Sequence, residues 1–408
     1  SWGRLDMSYE TYRVADLIDE IAMGPFGSNI KVSCFVDSGV PVLNGSNLEG
    51  FSLSEKAFRY VTEEKADSLN KANAHRGDIV ITHRGTLGQI VFIPQDSRYD
   101  RYVISQSQFR VRCNDKVLPE YLVYYFHTPI GQYKLLSNAS QVGVPALARP
   151  SSTFQQIEVT LPELSIQKRV VEIITTIQRK IENNQELNDN LEQQAVTYFQ
   201  ELYINNANPM WQIGTISDLG TVVGGSTPSK TKPEYYTNNG IAWITPKDLS
   251  INKSKFISHG ENDITELGLK NSSTTVMPKG TVLFSSRAPI GYIAIASNEV
   301  TTNQGFKSVI PYLEIGTAFV YFFLKHSLPV IESAASGSTF KEISGSAMKN
   351  IPAIIPDRST LDQFNSFCAP IFAQQKILED QNYSLAMLRD SLLPKLMSGA
   401  IDIASIQL

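Results

Sequence analysis

Residues 76–92 read RGDIVITHRGTLGQIVF, and residues 279–295 read KGTVLFSSRAPIGYIAI. The two segments align without a gap at a shift of 203 residues. Gly77/Gly280, Arg84/Arg287, Gly88/Gly291 and Ile90/Ile293 are identical, and Ile79-Val80-Ile81 matches Val282-Leu283-Phe284. Each copy reads as a buried strand, a polar turn carrying arginine, and a second strand. Other segments keep the same order. GVPVLNGSNL (39–48) matches GIAWITPKDL (240–249), SQFRV (107–111) matches QGFKS (304–308), and VYYF (123–126) matches VYFF (320–323). IEVTLPELS (157–165) matches IPAIIPDRS (351–359), by which point the shift has fallen to 194. Loop insertions and deletions explain the drift. The chain is therefore one mixed α+β unit used twice.

Each unit ends in a long helix. After Ser165, a fair N-cap, core-type positions alternate by four and three through Val170, Ile174, Ile177, Ile181, Asn184, Asn188, Leu191, Ala195, Tyr198 and Leu202. The second stripe runs through Phe364, Phe367, Ile371, Gln374, Leu378, Gln381, Leu385, Leu388 and Leu392. Pro370 predicts a kink or a later start, and NNANP (205–209) predicts a stop. One reading has each helix lie on its own domain. The sharper reading pairs them as an antiparallel coiled coil about a pseudo-two-fold axis, through Ile177, Ile181, Asn184, Leu191, Ile371, Leu378, Leu385 and Leu388. Asn184, Asn188, Gln374 and Gln381 would then be seam amides that fix register. About 35 residues make a rod of about 50 Å.

Composition sets bounds. With 408 residues, 42% hydrophobic and 19% charged, the chain suits a globular protein of two or more domains. No apolar run approaches a bilayer span, and SWGRLDMSYE has no signal-peptide core. Met7 reads as a natural start, with residues 1–6 as a remnant. Three scattered cysteines and five scattered histidines point to neither zinc nor a disulfide framework and suit a reducing cytoplasm. Net charge is −4, with 16 basic against 18 acidic residues over 1–163 and 12 against 11 over 209–357. A nucleic-acid surface would have to come from local clustering.

Catalytic signatures are missing. GGSTPSKT (224–231) resembles a phosphate loop, but Ser229 stands where the glycine before the lysine belongs, and Pro228 lacks an N–H. No N/D-P-P-[YFW] loop, Gly-x-Gly cofactor turn or G-x-S-x-G elbow is present, and PDRSTLDQ (356–363) lacks the lysine of a nuclease motif. What remains are polar loops at matching places: GPFGSNIK (24–31) and GGSTPSKTK (224–232), NGSNL (44–48) and TPKDL (245–249), HRGTLG (83–88) and SRAPIG (286–291), ISQSQF (104–109) and TTNQGF (301–306). Their side chains are of the kinds that contact phosphates and base edges. The candidates are Ser28, Asn29, Lys31, Asn44, Ser46, Asn47, Arg84, Gln106 and Gln108 in the first copy. In the second they are Thr227, Ser229, Lys230, Lys247, Arg287, Asn303, Gln304 and Lys307. Arg84 and Arg287 read equally as turn anchors bonded to backbone carbonyls. Trp243 reads as core.

These motifs, in this order and in two copies, resemble the specificity subunit of type I restriction–modification systems. The carrying residues are GPFGSNIK, GGSTPSK, RGTLG, SRAPIG, TTNQGF and the helices SIQKRVVEIITTIQRKIENNQELNDNLEQQA and LDQFNSFCAPIFAQQKILEDQNYSLAMLRDSLLPKLMSG, with the ending LLPKLMSG especially typical. The resemblance covers nearly the whole chain. It implies target recognition domains over 7–162 and 209–357, separated by long helices over 163–204 and 358–398. It implies double-stranded DNA with a bipartite, asymmetric target as ligand. It also implies two modification subunits that use S-adenosylmethionine to methylate adenine, and restriction subunits that use ATP and Mg. This chain itself would be non-catalytic, cytoplasmic and without a cofactor or metal. The alternatives are the specificity subunit of a system with fused modification and cleavage chains or, from another class, a self-sufficient methyltransferase or nucleotide hydrolase.

Overall fold

The paired apolar runs form hairpins. Ile79–Thr82 pairs antiparallel with Ile90–Phe92, and Val282–Phe284 with Ile293–Ala296. The glycines shared by the two copies have a backbone reason. Gly77 and Gly280 have φ +84° and +88°, and Gly88 and Gly291 have φ +90° and +98°, where a side chain is strained. The computed structural model describes residues 9–25, 27–140, 143–287, 289–337, 341–401 and 403. The reading of Met7 as a start lies outside them. The chain divides into two units, residues 1–179 with 385–408, and residues 180–384.

In the first unit the hairpin lies in an antiparallel sheet of order Ile18–Met23, Gln108–Cys113, Ile79–Thr82, Ile90–Phe92. A second sheet runs Arg59–Val61, Val40–Val42, Arg101–Val103, Asn73–His75, its middle pair parallel. The second unit repeats both. One sheet runs Gly220–Gly224, Lys307–Pro311, Val282–Phe284, Ile293–Ala296, Phe256–Ile257; the other runs Tyr236–Thr237, Asn262–Ile264, Ile241–Ile244, Thr301–Thr302. Against one face of the larger sheet packs an apolar helix, Pro119–His127 in one unit and Thr317–His326 in the other. The opposite face meets the smaller sheet, with Val80 against Leu43 and Leu48 in one core and Leu283 with Ile244 and Leu249 in the other.

Strand register corrects one alignment. Ile79 pairs with Val111, and its repeat mate Val282 pairs with Val309. The true shift here is 198, one more than matching the two phenylalanines gives. Phe109 therefore corresponds to Lys307, and Gln108 to Phe306. One residue changes the face of a strand. Accordingly, Phe109 packs with Ile79 and Ile81, while Phe306 packs on the other side with Leu283 and Ala294.

The copies also differ inside. Asp78, fully buried, binds Arg112 at 2.8 and 3.1 Å and Arg110 at 3.4 Å; Arg110 also holds Glu20 at 2.8 Å. In the second unit Thr281, Ser308, Ile310 and Thr221 take these places. The ionic cluster belongs to one copy only.

The first long helix runs Leu164–Gln200, followed by a wider turn to Asn205. It begins before Ser165, which lies in its first turn; the Glu163 carbonyl accepts from Ile166 and Gln167 at 3.1 Å. The second runs Arg358–Met397 as helix straight through Pro370, without a later start. In the first unit Val170, Ile173, Ile174 and Ile177 share a core with Leu392, Leu393 and Leu396, and the Arg389 guanidinium donates to Gln178 at 2.8 Å. In the second unit the helices run antiparallel: Tyr198 meets Phe367 at 4.4 Å between ring centres, the Gln375 amide donates to the Asn188 carbonyl at 3.2 Å, and Asn184 donates to Asn382 at 2.9 Å.

Asn184 is 2% exposed, and Leu378, Ile371 and Leu191 pack at the seam. The stripe of the second helix differs from the expectation. Gln374 and Leu388 lie outward, Leu388 being 46% exposed, and Gln375, fully buried, and Arg389 face the seam instead; Gln381, though exposed, accepts from Asn184 at 3.3 Å beside Asn382. Ile181 is half-buried, and its carbonyl accepts from Asn382 at 3.2 Å; Leu385 is half-buried too.

Candidate nucleic-acid interface

The loop after the strand Val40–Val42 and the loop after Ile241–Ile244 use the same device. Asn47 Oδ1 accepts from the Asn44 N–H at 2.9 Å, and Asp248 Oδ2 from the Thr245 N–H at 2.7 Å, each as half of a capping box. Asn47 is fully buried and donates to the carbonyls of Ser54 and Lys56 at 2.9 and 2.8 Å. Asp248 also accepts from the Glu261 N–H at 2.8 Å. These side chains shape the loop from inside, so Asn47 reaches no ligand. Gln108 is 1% exposed and accepts from the Ser105 N–H at 2.8 Å. Both expectations are corrected for one reason: a short polar side chain beside a tight turn satisfies the turn's own backbone.

Around each loop, three polar segments meet in a cleft. In the second unit a cavity of about 560 Å³ is lined by Thr227, Lys230, Lys247, Asn303 and Gln304, with Tyr236, Trp243, Thr245, Glu261 and Asn262. Five expected residues are thus brought together. Thr227 donates to Gln304 across it. Trp243 is core, as expected: it is 6% exposed, and its indole N–H donates to the Ser226 carbonyl at 3.1 Å. Gly225 lies so close to the strand that an added Cβ would sit 2.0 Å from the Asn303 carbonyl. This is why GGSTPSKT carries a glycine there. Lys230 is exposed, with no hydrogen bond or ion pair among the described residues. Lys247 instead pairs with Glu261 at 2.6 Å, which holds its ammonium above the usual lysine range.

In the first unit a cavity of about 370 Å³ is lined by Gly27, Asn44, Ser105 and Gln106, with Ile30, Phe35, Val42, Ala57 and Arg59. Asn44 and Gln106 are brought together here. Ser46 is tied to Asn44, donating from its backbone at 2.9 Å and its hydroxyl at 2.5 Å. Asn29 and Lys31 are exposed on the neighbouring loop, and the side chain of Ser28 lies outside the described residues. Among the described residues the lining carries no carboxylate. Arg59 and Asn262 were not among the expected residues. They lie at strand positions, paired with Val42 and Trp243, where no polar loop marks them.

The two turn arginines sit beside the clefts. His83 Nε2 bonds the Gln106 carbonyl at 3.1 Å, and the Ser286 N–H donates to Gly305 at 2.8 Å. Arg84 is exposed and makes no side-chain bond among the described residues. Arg287, with 48% of its side chain exposed, pairs with Glu342 at 3.1 Å. Among the described residues, neither bonds a backbone carbonyl with its guanidinium. Lys307 lies 3.7 Å from the other Glu342 oxygen. Ser229 bonds Thr231 at 2.9 Å in the loop above the cleft. Among the described residues, no cluster of His, Cys, Asp or Glu suits a metal ion, and no helix is long and apolar enough to cross a membrane.

The family described as "Type I restriction modification DNA specificity domain" matches twice, over residues 9–193 and 208–380. Over 162 residues the chain is 43% identical to the type I restriction enzyme MjaIX specificity subunit of Methanocaldococcus jannaschii, covering 39% of this chain and 37% of that one. It is 23% identical to the HindI specificity subunit of Haemophilus influenzae over 405 residues, covering 80% of this chain and 87% of that one. The match thus spans little more than a third of the first relative and most of the second. Among solved structures, the type I restriction–modification S subunit from M. genitalium superposes with a TM-score of 0.59 over 96% of this chain and 97% of that one. At 15% identity that likeness bears on the fold alone. The doubled unit read from residues 76–92 and 279–295 is thus the doubled domain of a known family, and the chain belongs to the type I restriction–modification DNA specificity family.

Proposed function

We propose that this chain is the non-catalytic DNA-specificity subunit of a type I restriction–modification complex, each unit reading one half of a bipartite, asymmetric target. The observation that carries this is the repeated cleft. The same three loops converge in both units, with Asn44 and Gln106 in one and Thr227, Lys230, Asn303 and Gln304 in the other. Polar amides and cations at a groove mouth supply both phosphate and base contacts. The clefts differ in lining, which supports two different half-sites. The contacting set is Asn29, Lys31, Asn44, Ser46, Arg84 and Gln106 in the first unit, and Thr227, Ser229, Lys230, Lys247, Arg287, Asn303, Gln304 and Lys307 in the second. Double-stranded DNA is the ligand. Two modification subunits, which bind S-adenosylmethionine, dock on the long helices and methylate adenine. Restriction subunits supply ATP- and Mg-dependent cleavage. The modification subunits also provide much of the phosphate contact, because this chain is acidic overall.

The test is to assemble the chain with its modification subunits and map methylated adenines on genomic DNA. A single interrupted motif with unlike halves is expected. Methylation without a motif, or methyl transfer by this chain alone, would overturn the reading. Anisotropy at matched salt, with and without the modification subunit, tests the phosphate claim; equal affinities would remove it.

A further inference from the structure

Arg59 starts the outer strand of the smaller sheet in the first unit, opposite Val42, and lines the cleft beside Asn44 and Gln106. Its guanidinium lies over the Phe35 ring, 5.2 Å from the ring centre. It makes no hydrogen bond or ion pair among the described residues, and no carboxylate lines the cleft. A cation–π contact restrains the guanidinium and uses none of its N–H donors. Two residues earlier, Ala57 has φ +55°, a left-handed conformation that strains an alanine and that gathers at functional sites. A restrained planar cation with unused donors, in a groove whose described lining has no carboxylate, suits a pair of adjacent acceptors.

Sheet register identifies the corresponding residue in the other unit. Val42 and Trp243 are repeat mates; Val42 faces Arg59, and Trp243 faces Asn262. Asn262 is exposed, lines its own cleft, and makes no side-chain hydrogen bond among the described residues. Its neighbour Lys247 is neutralised by Glu261. The same strand position therefore carries a forked cation in one copy and a neutral amide in the other.

We infer that this position determines base choice: Arg59 reads a guanine through O6 and N7, and Asn262 reads an adenine through N6 and N7. An arginine fork fits the two guanine acceptors, and an amide fits the adenine donor–acceptor pair. The inference rests on the proposed DNA reading by the clefts. The two units read different halves partly because this pair of residues differs.

The experiment uses the assembled complex of this chain with its modification subunits, comparing wild type with Arg59→Ala, Arg59→Lys and Asn262→Ala by methylation mapping and by binding at several salt concentrations. Arg59→Ala should relax one G·C position in one half-site, with discrimination falling roughly ten- to hundredfold there, and should leave the other half-site unchanged. Arg59→Lys should lose most of that discrimination despite keeping the charge. Asn262→Ala should relax one A·T position in the other half. A uniform loss across all sequences, with the salt slope reduced by about one and rescued by Arg59→Lys, would make Arg59 a phosphate contact and overturn the inference. An unchanged motif would overturn it too. Absence of any motif in the wild type would instead sink the DNA-reading proposal itself. Both side chains are exposed, so unchanged melting temperatures are expected in all variants.

Discussion

A polar loop residue can face DNA or face its own backbone, and spacing does not distinguish the two. Asn44 and Asn47 are three residues apart in one motif, yet Asn44 lines the cleft and Asn47 is sealed beneath it. Asn47→Ala would leave the Ser54 and Lys56 carbonyls and the Asn44 N–H without partners. A loss of about 2 kcal/mol is expected, read by chemical denaturation. Lys230→Ala breaks no bond among the described residues. It should leave melting unchanged while lowering the salt slope of DNA binding by the complex by about one. Arg287→Ala and Lys247→Ala remove exposed, solvent-screened ion pairs, so melting temperatures should stay close to wild type. If Arg287→Ala lowers the melting temperature instead and leaves DNA affinity intact, its role is to hold the segment around Glu342.

At the scale of elements, the existence of the long helices was legible and the facing of the second was not. Gln374 and Gln375, and Gln381 and Asn382, are adjacent polar residues, and composition cannot say which of two neighbours faces a seam. A step of one residue turns a helix by about 100°. In the first pair tertiary contacts choose the later residue, because Gln375 also meets a buried lysine; in the second, Asn184 bonds both Gln381 and Asn382. Lys255 Nζ donates to Gln375 at 2.6 Å and to Glu192, and lies 4.2 Å from the centre of the Phe372 ring. Glu192 also accepts from Lys325 at 2.7 Å. Burial alone would raise the Glu192 carboxyl; Lys255 and Lys325 outweigh it and hold it below the usual carboxylate range. A depressed acid stabilises the fold above its unfolded value and loses that contribution as pH falls through the folded value. Glu192→Gln should therefore cost about 3 kcal/mol near neutrality, and the gap to wild type should shrink below about pH 4.5. Melting curves of both proteins across that range check it. Leu378→Asp and Ile177→Asp each bring a charge to the packed face of a long helix, and each should lower stability by several kcal/mol and abolish co-purification with the modification subunit.

For the molecule as a whole, the repeat fixes the architecture, but the copies have diverged inside. Asp78 with Arg110, Arg112 and Glu20 gives the first unit a buried ionic centre that the second lacks. Asp78→Ala takes the buried partner from Arg110 and from the part-exposed Arg112, leaving both with Glu20, and should cost about 3 kcal/mol. Thr281→Ala at the matching place removes one hydroxyl that bonds the Pro278 carbonyl at 2.7 Å and should cost about 1 kcal/mol. Hydrogen exchange on the intact chain checks this, with protection falling first around residues 79–82 and 108–113 in the Asp78 variant.

The doubled α+β unit, the paired apolar strands, the two long helices and the family were all set by the sequence itself. Hydrophobic periodicity and glycines confined to positive φ survive in each copy because every such unit needs them. Which loop residues reach a ligand was decided only in three dimensions. Strand register, offset by one residue from the apparent phenylalanine match, puts Phe109 and Phe306 on opposite faces. Pairing in the smaller sheet, opposite Val42 and Trp243, brings Arg59 and Asn262, which no motif marks, to the rim of the clefts. In a strand or a helix a shift of one residue reverses or rotates a side chain, and only the bonds made by distant neighbours fix that choice.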